Sequence, residues 1–144
     1  MPCAGTAGGT ILGVQDGCLV FPAGNGEENS SNQCTLIDFD EFADGTIMST
    51  QIEGVTISAE NNYDGPDKHP DEAIIVDSSD TSKEYYEPDL LTDTQENILI
   101  IAENLNGSED DGLVDLPNDE ATGGKIHFEF DNPITLESLT LIDV

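Results

Sequence analysis

The carboxylates are the groups in this sequence best suited to chemistry, because they are numerous and have few basic partners. The chain contains 31 Asp and Glu residues but only 3 basic residues, all of them lysine. Calcium takes six to eight oxygen ligands from carboxylates and carbonyl groups, so it is a natural partner for such acids. The composition therefore indicates calcium binding before any other chemistry.

Two carboxylates extend rows of apolar residues that alternate along predicted strands. Glu41 continues the alternation of Ile37 and Phe39, and Asp143 continues the alternation of the leucines that precede it. An acid buried at the end of such a row costs free energy unless it is paired or bound to a metal. We therefore predict Glu41 and Asp143 as metal ligands. The alternative is that both lie in water, just past the ends of their strands.

Two acidic loops supply the other candidate ligands. They read "NNYDGPDKHPDE" (61–72) and "GSEDDGLVDLPNDE" (107–120). The first does not fit the helix–loop–helix calcium motif, since Asp71 stands where that motif has glutamate and no helices flank the loop. As general calcium-binding loops they offer Asp64, Asp67, Asp111, Asp115 and Asp119 as ligands. The alternative is that both loops are simply solvated.

Three tyrosines in loop-like stretches are candidates for binding carbohydrate. Tyr63, Tyr85 and Tyr86 all lie beside acids and amides, and small-molecule sites combine aromatic surfaces with a few polar groups. The chain has no Trp, the residue that most often stacks on sugars. The alternative is that these tyrosines serve as packing anchors.

Catalysis finds little support in the sequence. The chain has two histidines, His69 and His127, and the second falls on a predicted solvent face. There is no Gly-x-Ser-x-Gly motif, no phosphate-binding loop and no pair of histidines spaced for zinc. Acid pairs suited to glycoside hydrolysis occur throughout the chain, so their presence carries no information. We predict that the protein is not an enzyme.

The cysteines favour one disulfide. Cys3, Cys18 and Cys34 match no zinc spacing, and three cysteines allow one disulfide in any of three pairings. Cys18 falls in a hairpin-like stretch, and Cys34 opens the first predicted core strand. We predict that Cys18 and Cys34 pair when the chain is oxidised.

The net charge of -28 limits the partners of the protein. Nucleic acid and anionic membranes repel such a chain, because their recognition needs basic residues. No stretch has the roughly 18 apolar residues of a membrane-spanning helix, and no signal-peptide pattern is visible. High net charge is typical of disorder, but the apolar patterning favours a folded domain. Self-repulsion should make that fold depend on cations or salt.

The length suits one domain with a distinct N-terminal segment. Residues 1–33 are rich in Gly, Ala and Ser, and "PAGNGEENSSNQ" (22–33) has the composition of a flexible linker. Within this segment, both a short hairpin and a disordered tail remain open. Residues 34–144 are predicted as the structured domain.

Short strands dominate residues 34–144. Alternating patterns predict strands with one buried face in "TLIDFDEF" (35–42), "GVTISAE" (54–60) and "KIHFEF" (125–130). Continuous apolar runs predict strands covered on both faces in "AIIVDSS" (73–79) and "NILIIAE" (97–103). The one helical window, "SKEYYEPDLL", is interrupted by Pro88. The pattern predicts an all-β fold, an antiparallel, jelly-roll-like β-sandwich. Its last strand runs to Val144 without a terminating turn, which predicts a sandwich that is truncated at the C-terminus.

Four segments within residues 35–144 carry a family resemblance. They are "LIDFDEFADGTIMSTQIEGVTISAEN", "DEAIIVDSSD", "NILIIAEN" and "NDEATGGKIHFEFDNPITLESLTLIDV". Together they resemble secreted β-sandwich (jelly-roll) domains of environmental bacteria and some marine organisms, which are galactose-binding-like modules in the broad sense. The resemblance implies an extracellular or cell-surface accessory domain of a kind that sometimes carries calcium or binds carbohydrate.

Three functions follow as expectations. The first is a non-catalytic, calcium-stabilised β-sandwich module that binds carbohydrate or acts as a structural element of a surface. The second is an acidic matrix protein of the biomineral type, which sequesters divalent cations. The third is a halophilic surface domain, in which the acids keep the protein soluble and form no dedicated site.

Overall fold

Eight short strands and almost no helix make up the described part of the chain. The structure, a computed structural model, describes residues 19–20, 34–85 and 87–142, without the side chains of residues 19, 20, 34 and 85. The strands are β1 (Leu19–Val20), β2 (Cys34–Thr35), β3 (Ile47–Met48), β4 (Val55–Asn61), β5 (Ala73–Asp77), β6 (Asn97–Ile101), β7 (Gly124–Phe130) and β8 (Thr135–Leu136). Their sheets have the orders β2-β1-β8, β3-β5-β6 and β4-β7, and every pairing is antiparallel. The predicted all-β class is confirmed.

The alternation of "KIHFEF" and "GVTISAE" is realised in the pair β4–β7. Val55 lies opposite Phe130, Ile57 opposite Phe128, and Ala59 opposite the next apolar residue of β7. The β4 residues of this face are buried, and their partners on β7 are half-buried and pack against them. The intervening residues on β7 are exposed. One face of this two-stranded sheet therefore points to the core and the other to solvent.

The continuous apolar runs form β5 and β6, which are covered on both faces as predicted. The first four residues of β5 and of β6 are buried. Ala73, Ile75 and Leu99 belong to a core cluster shared with Phe39, Met48 and the inner face of β4. Residues of the opposite parity belong to a second cluster, whose buried members are Ile74, Val76, Leu90, Ile98, Ile100, Ala102 and Val114. The sheet β3-β5-β6 thus separates two apolar layers.

The helical window "SKEYYEPDLL" is interrupted near Pro88, as the sequence predicts. Two 3-10 helices, Thr81–Tyr85 and Pro88–Leu90, lie on either side of the interruption. Proline suits the first helical position, because its missing N–H has no partner there in any case. The one α-helix in the described residues, Ser108–Asp111 (α1), has four residues. None of the helices among these residues has the length and apolar composition needed to cross a bilayer.

The strand predicted over 35–42 is wrong beyond Thr35, because turns replace it. The backbone N–H of Phe42 donates to the carbonyl of Phe39, and the Asp38 carboxylate accepts from the N–H of Asp40. Such side-chain bonds compete with a strand ladder. Phe39 is buried as predicted but has φ 66, a conformation that breaks the alternation, and Glu41 is consequently exposed.

The C-terminal strand is shorter than predicted. Of the C-terminal residues that the structure describes, up to residue 142, only Thr135–Leu136 forms a strand, within the sheet β2-β1-β8. Leu136 and Leu139 are 57% and 44% exposed, so burial supplies little free energy to extend a regular strand here.

The N-terminal segment contributes a strand to the same sheet. Leu19–Val20 lies between Cys34–Thr35 and Thr135–Leu136 and pairs with both. This strand of the N-terminal segment therefore pairs with residues that belong to the predicted domain 34–144. The short hairpin predicted within residues 1–33 lies largely outside the described residues and stays a prediction. The predicted disulfide stays a prediction, because Cys18 lies outside the described residues and the side chain of Cys34 is not described.

Candidate metal centre

Two segments that are distant in sequence bring acidic side chains together at one end of β6. Pro88 begins a 3-10 helix, so Glu87 immediately precedes the helix and Asp89 lies within it. Asp119 forms an antiparallel bridge with Ala102, just beyond β6. The neighbouring N–H of Glu120 donates to the carbonyl of Ile101 at 2.9 Å. Backbone pairing therefore fixes the position of Asp119 beside the sheet.

The carboxylates of Glu87, Asp89 and Asp119 converge. Each offers an oxygen that lies within 4.8 Å of the others. Glu87 and Asp119 are half-buried, whereas Asp89 is exposed. We call these three residues the acidic triad. Among the described residues this is the one group of three or more potential ligand side chains with such a geometry.

The electrostatics of the acidic triad are unfavourable without a cation. Burial raises the pKa of Glu87, and the negative charges of Asp89, Asp119 and Glu103 raise it further. Each neighbouring carboxylate makes ionisation of Glu87 more costly. A bound divalent cation reverses this effect, since it favours the charged form of every carboxylate around it. The arrangement therefore suits a hard cation with oxygen ligands.

Of the seven residues predicted as metal ligands, the structure places only Asp119 in the acidic triad. Asp64 and Asp67 are exposed in the loop 61–72, and Glu41 is exposed in a turn. Asp143 lies outside the described residues. These four assignments stay predictions.

The remaining two predicted ligands, Asp111 and Asp115, lie in the loop 107–120, which orders itself. The Asp111 carboxylate accepts from the N–H of Leu113 at 3.0 Å, and the N–H of Asp115 donates to the Asn106 carbonyl at 2.9 Å. Both acids are exposed. Local hydrogen bonds therefore hold this loop, and metal binding by Asp111 and Asp115 stays a prediction.

The loop 61–72 is also held by its own hydrogen bonds. The side-chain amide of Asn61 donates to the carbonyls of His69 and Pro70 and to the Asp71 carboxylate. The ring of Tyr63 stacks on His69, with the ring centroids 3.6 Å apart. One face of Tyr63 is therefore occupied, which favours the packing role over a sugar platform. Carbohydrate binding by Tyr85 and Tyr86 stays a prediction, since Tyr86 and the side chain of Tyr85 are not described.

A buried carboxylate joins this loop to the segment that carries Asp119. Glu120 is 2% exposed in its side chain and pairs with Nδ1 of His69. Its other oxygen accepts from the N–H and the hydroxyl of Thr122, at 3.0 and 2.7 Å. Burial raises the pKa of Glu120, but the bonds from Thr122 and His69 outweigh burial, and its pKa is lowered overall. Glu120 is therefore a structural anion rather than a free ligand.

All three lysines pair with acids. Lys68 lies 3.5 Å from Asp71, and Lys125 lies 2.7 Å from Glu60. Both of these pairs are largely exposed, whereas the Lys83 side chain is 1% exposed. The Lys83 ammonium contacts Asp44 at 3.0 Å and Asp80 at 3.4 Å. Few cationic side chains are therefore left over for the remaining acids.

Sequence reasoning missed Glu87, Asp89 and Glu103. The signal for two of them was present, since Glu87-Pro88-Asp89 places acids on both sides of a proline that begins a helical turn. Their partner, Asp119, follows about 30 residues later, and no local pattern links the two segments. Only the backbone pairing beyond β6 brings them together.

Comparisons of this chain with protein-family models, with curated proteins and with solved structures find no match. The fold and the acidic triad define the chain as an all-β protein with a convergent group of carboxylates. Function depends on the chemistry of particular residues rather than on the fold, so the acidic triad is the main basis for a functional proposal.

Proposed function

We propose that this protein is a non-catalytic β-sandwich module stabilised by a divalent cation, calcium in the first place, that binds at the acidic triad. The convergence of carboxylate oxygens from Glu87, Asp89 and Asp119 is the observation that carries the proposal. Calcium fits because it accepts irregular sets of carboxylate, carbonyl and water ligands. Three carboxylates supply three to six of its oxygens, and water or carbonyl groups complete the shell.

Core packing supports the sandwich architecture in this proposal. The inner face of β4–β7 and one face of β3-β5-β6 share a single cluster of buried side chains. Two sheets packed face to face through such a cluster are the basis of a β-sandwich. The resemblance of residues 35–144 to secreted jelly-roll domains supports an extracellular or cell-surface location.

The cation would stabilise the fold by removing repulsion that folding creates. The pKa of Glu87 is raised in the folded state by burial and by three neighbouring carboxylates. Its ionisation therefore opposes folding at neutral pH. This cost disappears once the pH falls below the pKa that Glu87 has in the unfolded chain, because the carboxyl is then protonated in both states. A cation that binds only the folded state adds stability by RT ln(1 + [L]/Kd).

The test is thermal and chemical unfolding of the full chain in calcium. We expect about 10 mM calcium chloride to add roughly 1.5–3 kcal/mol over sodium chloride of equal ionic strength, for a Kd of about 0.1–1 mM. Magnesium should add markedly less, because it demands a regular octahedral shell. The melting temperature should rise by several degrees in calcium.

The variant Glu87→Gln separates a dedicated site from general screening. It should lose the calcium-specific increment and, in chelator at neutral pH, should be more stable than the parent because the opposed charge is gone. Glu129→Gln removes the same charge from an exposed position on β7 and should keep the calcium increment. Equal effects of calcium and magnesium, together with an unchanged increment in Glu87→Gln, would contradict the proposal. Those results would favour the acidic matrix protein or the halophilic surface domain.

Carbohydrate binding is a second candidate function, supported by an open groove of about 780 Å³ beside the acidic triad. Lys68, His69, Asp71 and Asn104 line it, and so does Glu103, whose charge acts on Glu87. Charged and amide side chains of this kind can bond sugar hydroxyls.

An immobilised panel of oligosaccharides tests this second function. We expect Asn104→Ala to weaken binding to the retained sugars, and Asn132→Ala, an exposed amide outside the groove, to leave binding unchanged. Retention of no oligosaccharide, or equal binding by the two variants, would count against the groove.

A further inference from the structure

A cavity of about 270 Å³ lies against β6 and shares two acids with the acidic triad. Leu90, Ile98 and Ile100 line it and are buried, and Ile142 lines it and is half-buried. Asp89 and Asp119 also line it, and Asp89 is exposed. The cavity therefore runs from an acidic opening to an apolar interior.

The size of this cavity suits a small organic molecule. A dry apolar cavity of about 150 Å³ is large enough to bind benzene, and ligand pockets start at about 300 Å³. Its apolar wall belongs to the second core cluster, which includes Leu90, Ile98 and Ile100. Such a wall favours an alkyl or other hydrocarbon group.

The charge of the opening selects the polar end of the ligand. Asp89 and Asp119 present two carboxylates, and the whole chain carries a net charge of -28. Glu120 also lines the cavity and adds a negative charge, and His69 and Thr122 contact its carboxylate. An anionic head group would meet only repulsion here, whereas an ammonium donates three hydrogen bonds and carries the complementary charge.

We infer that this cavity binds a small organic cation with an ammonium head and an unbranched alkyl chain. The ammonium lies between Asp89 and Asp119, and the chain lies along Ile98 and Ile100. This ligand shares two acids with the metal site, so calcium competes with it. Its binding does not depend on calcium, and the experiment is therefore done in chelator.

The probe is n-hexylammonium, titrated into the full chain by calorimetry at constant ionic strength. We expect it to bind on the order of 100-fold more tightly than ethylammonium, since each buried methylene contributes about threefold to fourfold. Neutral n-hexanol should bind several-fold more weakly, and hexanoate should show no binding. In methyl spectra of isoleucine-labelled protein, Ile98 and Ile100 should shift, whereas Ile57, in the other core cluster, should not.

Asp89→Asn and Asp93→Asn form a matched pair of variants. Both positions are exposed and both variants remove one charge, but only Asp89 lines the cavity. We expect Asp89→Asn to weaken hexylammonium binding about fivefold, the value of one favourable charge contact, and Asp93→Asn to leave it unchanged. Equal affinities for hexylammonium and ethylammonium, or equal effects of the two variants, would overturn the inference. Either result would mean that the cations are attracted to the acidic surface in general and do not bind in the cavity. The metal site is tested separately, by calcium stabilisation of the parent protein and of Glu87→Gln, so failure of hexylammonium binding does not bear on it.

Discussion

Replacing Asp44 with alanine is expected to lower the free energy of unfolding by about 2–4 kcal/mol, because the buried ammonium of Lys83 loses the nearer of the two carboxylates that face it. The Lys83 side chain is 1% exposed, and its ammonium lies 3.0 Å from the Asp44 carboxylate. The other oxygen of Asp44 accepts from the N–H of Asp77, at the end of β5, at 2.7 Å. Alanine removes both interactions. Urea unfolding of the two proteins at pH 7 measures the difference.

The two partners of this ion pair should respond unequally. Asp44 and Asp80 are 35% and 44% exposed in their side chains, so water can hydrate them when the lysine is absent. Lys83→Met keeps the apolar volume and leaves no buried charge, and we expect it to cost much less than Asp44→Ala. A larger loss in Lys83→Met than in Asp44→Ala would contradict this account of the pair.

Glu41→Ala is the matched control for Asp44→Ala. Glu41 belongs to the same turn segment, and it is exposed. Its removal should be neutral or slightly stabilising, because it relieves the repulsion in a chain of net charge -28. The same variant tests the predicted ligand role of Glu41, since the calcium increment should survive if the acidic triad is the site.

The buried ion pair of Lys83 and Asp44 also helps to hold the segment that carries two residues of the acidic triad in place. The N–H of Glu87 donates to the carbonyl of Lys83 at 2.8 Å. Loss of the lysine's anchor should therefore loosen the segment that carries Glu87 and Asp89. We expect the calcium increment to be smaller in Asp44→Ala than in Glu41→Ala.

The sequence predicted the elements whose formation depends on burial. The alternation of apolar and polar residues in β7 indicates one buried face, and the continuous apolar runs of β5 and β6 indicate two buried faces. These patterns were read correctly because tertiary structure and local pattern agree. By contrast, the pattern over 35–42 was overridden by side chains such as Asp38, whose bonds to the backbone favour turns over a strand.

The candidate site was less predictable, because it depends on contacts between residues far apart in sequence. Lys83 pairs with Asp44, which lies 39 residues away in the sequence. Glu120 pairs with His69, which lies 51 residues away. No spacing rule anticipates these partners. The scarcity of lysine indicated that basic partners for the acids are few, and the three lysines are all engaged. The particular carboxylates that converge were identified only by the backbone pairing beside β6.

Replacing Glu120 with alanine should lower the free energy of unfolding by about 2–4 kcal/mol, since hydrogen bonds to a charged group contribute about 1.5–3 kcal/mol each and are not additive. The carboxylate joins His69 in one loop to Thr122 in another. Glu120→Gln retains an oxygen acceptor for Thr122 but loses the charge that faces His69. We expect its loss to be smaller than that of the alanine variant.

The pH dependence distinguishes a stabilising anion from a carboxyl that merely packs. The pKa of Glu120 is lowered in the folded state, so its charge contributes stability above the unfolded pKa of about 4.3, and this stability is lost as the pH falls through the folded pKa. The difference in unfolding free energy between the parent and Glu120→Gln should therefore be full near pH 7 and should shrink below about pH 4. Glu87 should show the opposite pH dependence, because its pKa is raised in the folded state. Glu87→Gln should therefore be more stable than the parent only at higher pH, where Glu87 is ionised. A Glu120→Gln difference that stays constant from pH 7 to pH 3, roughly one unit below the usual pKa, would contradict the proposed role of the charge.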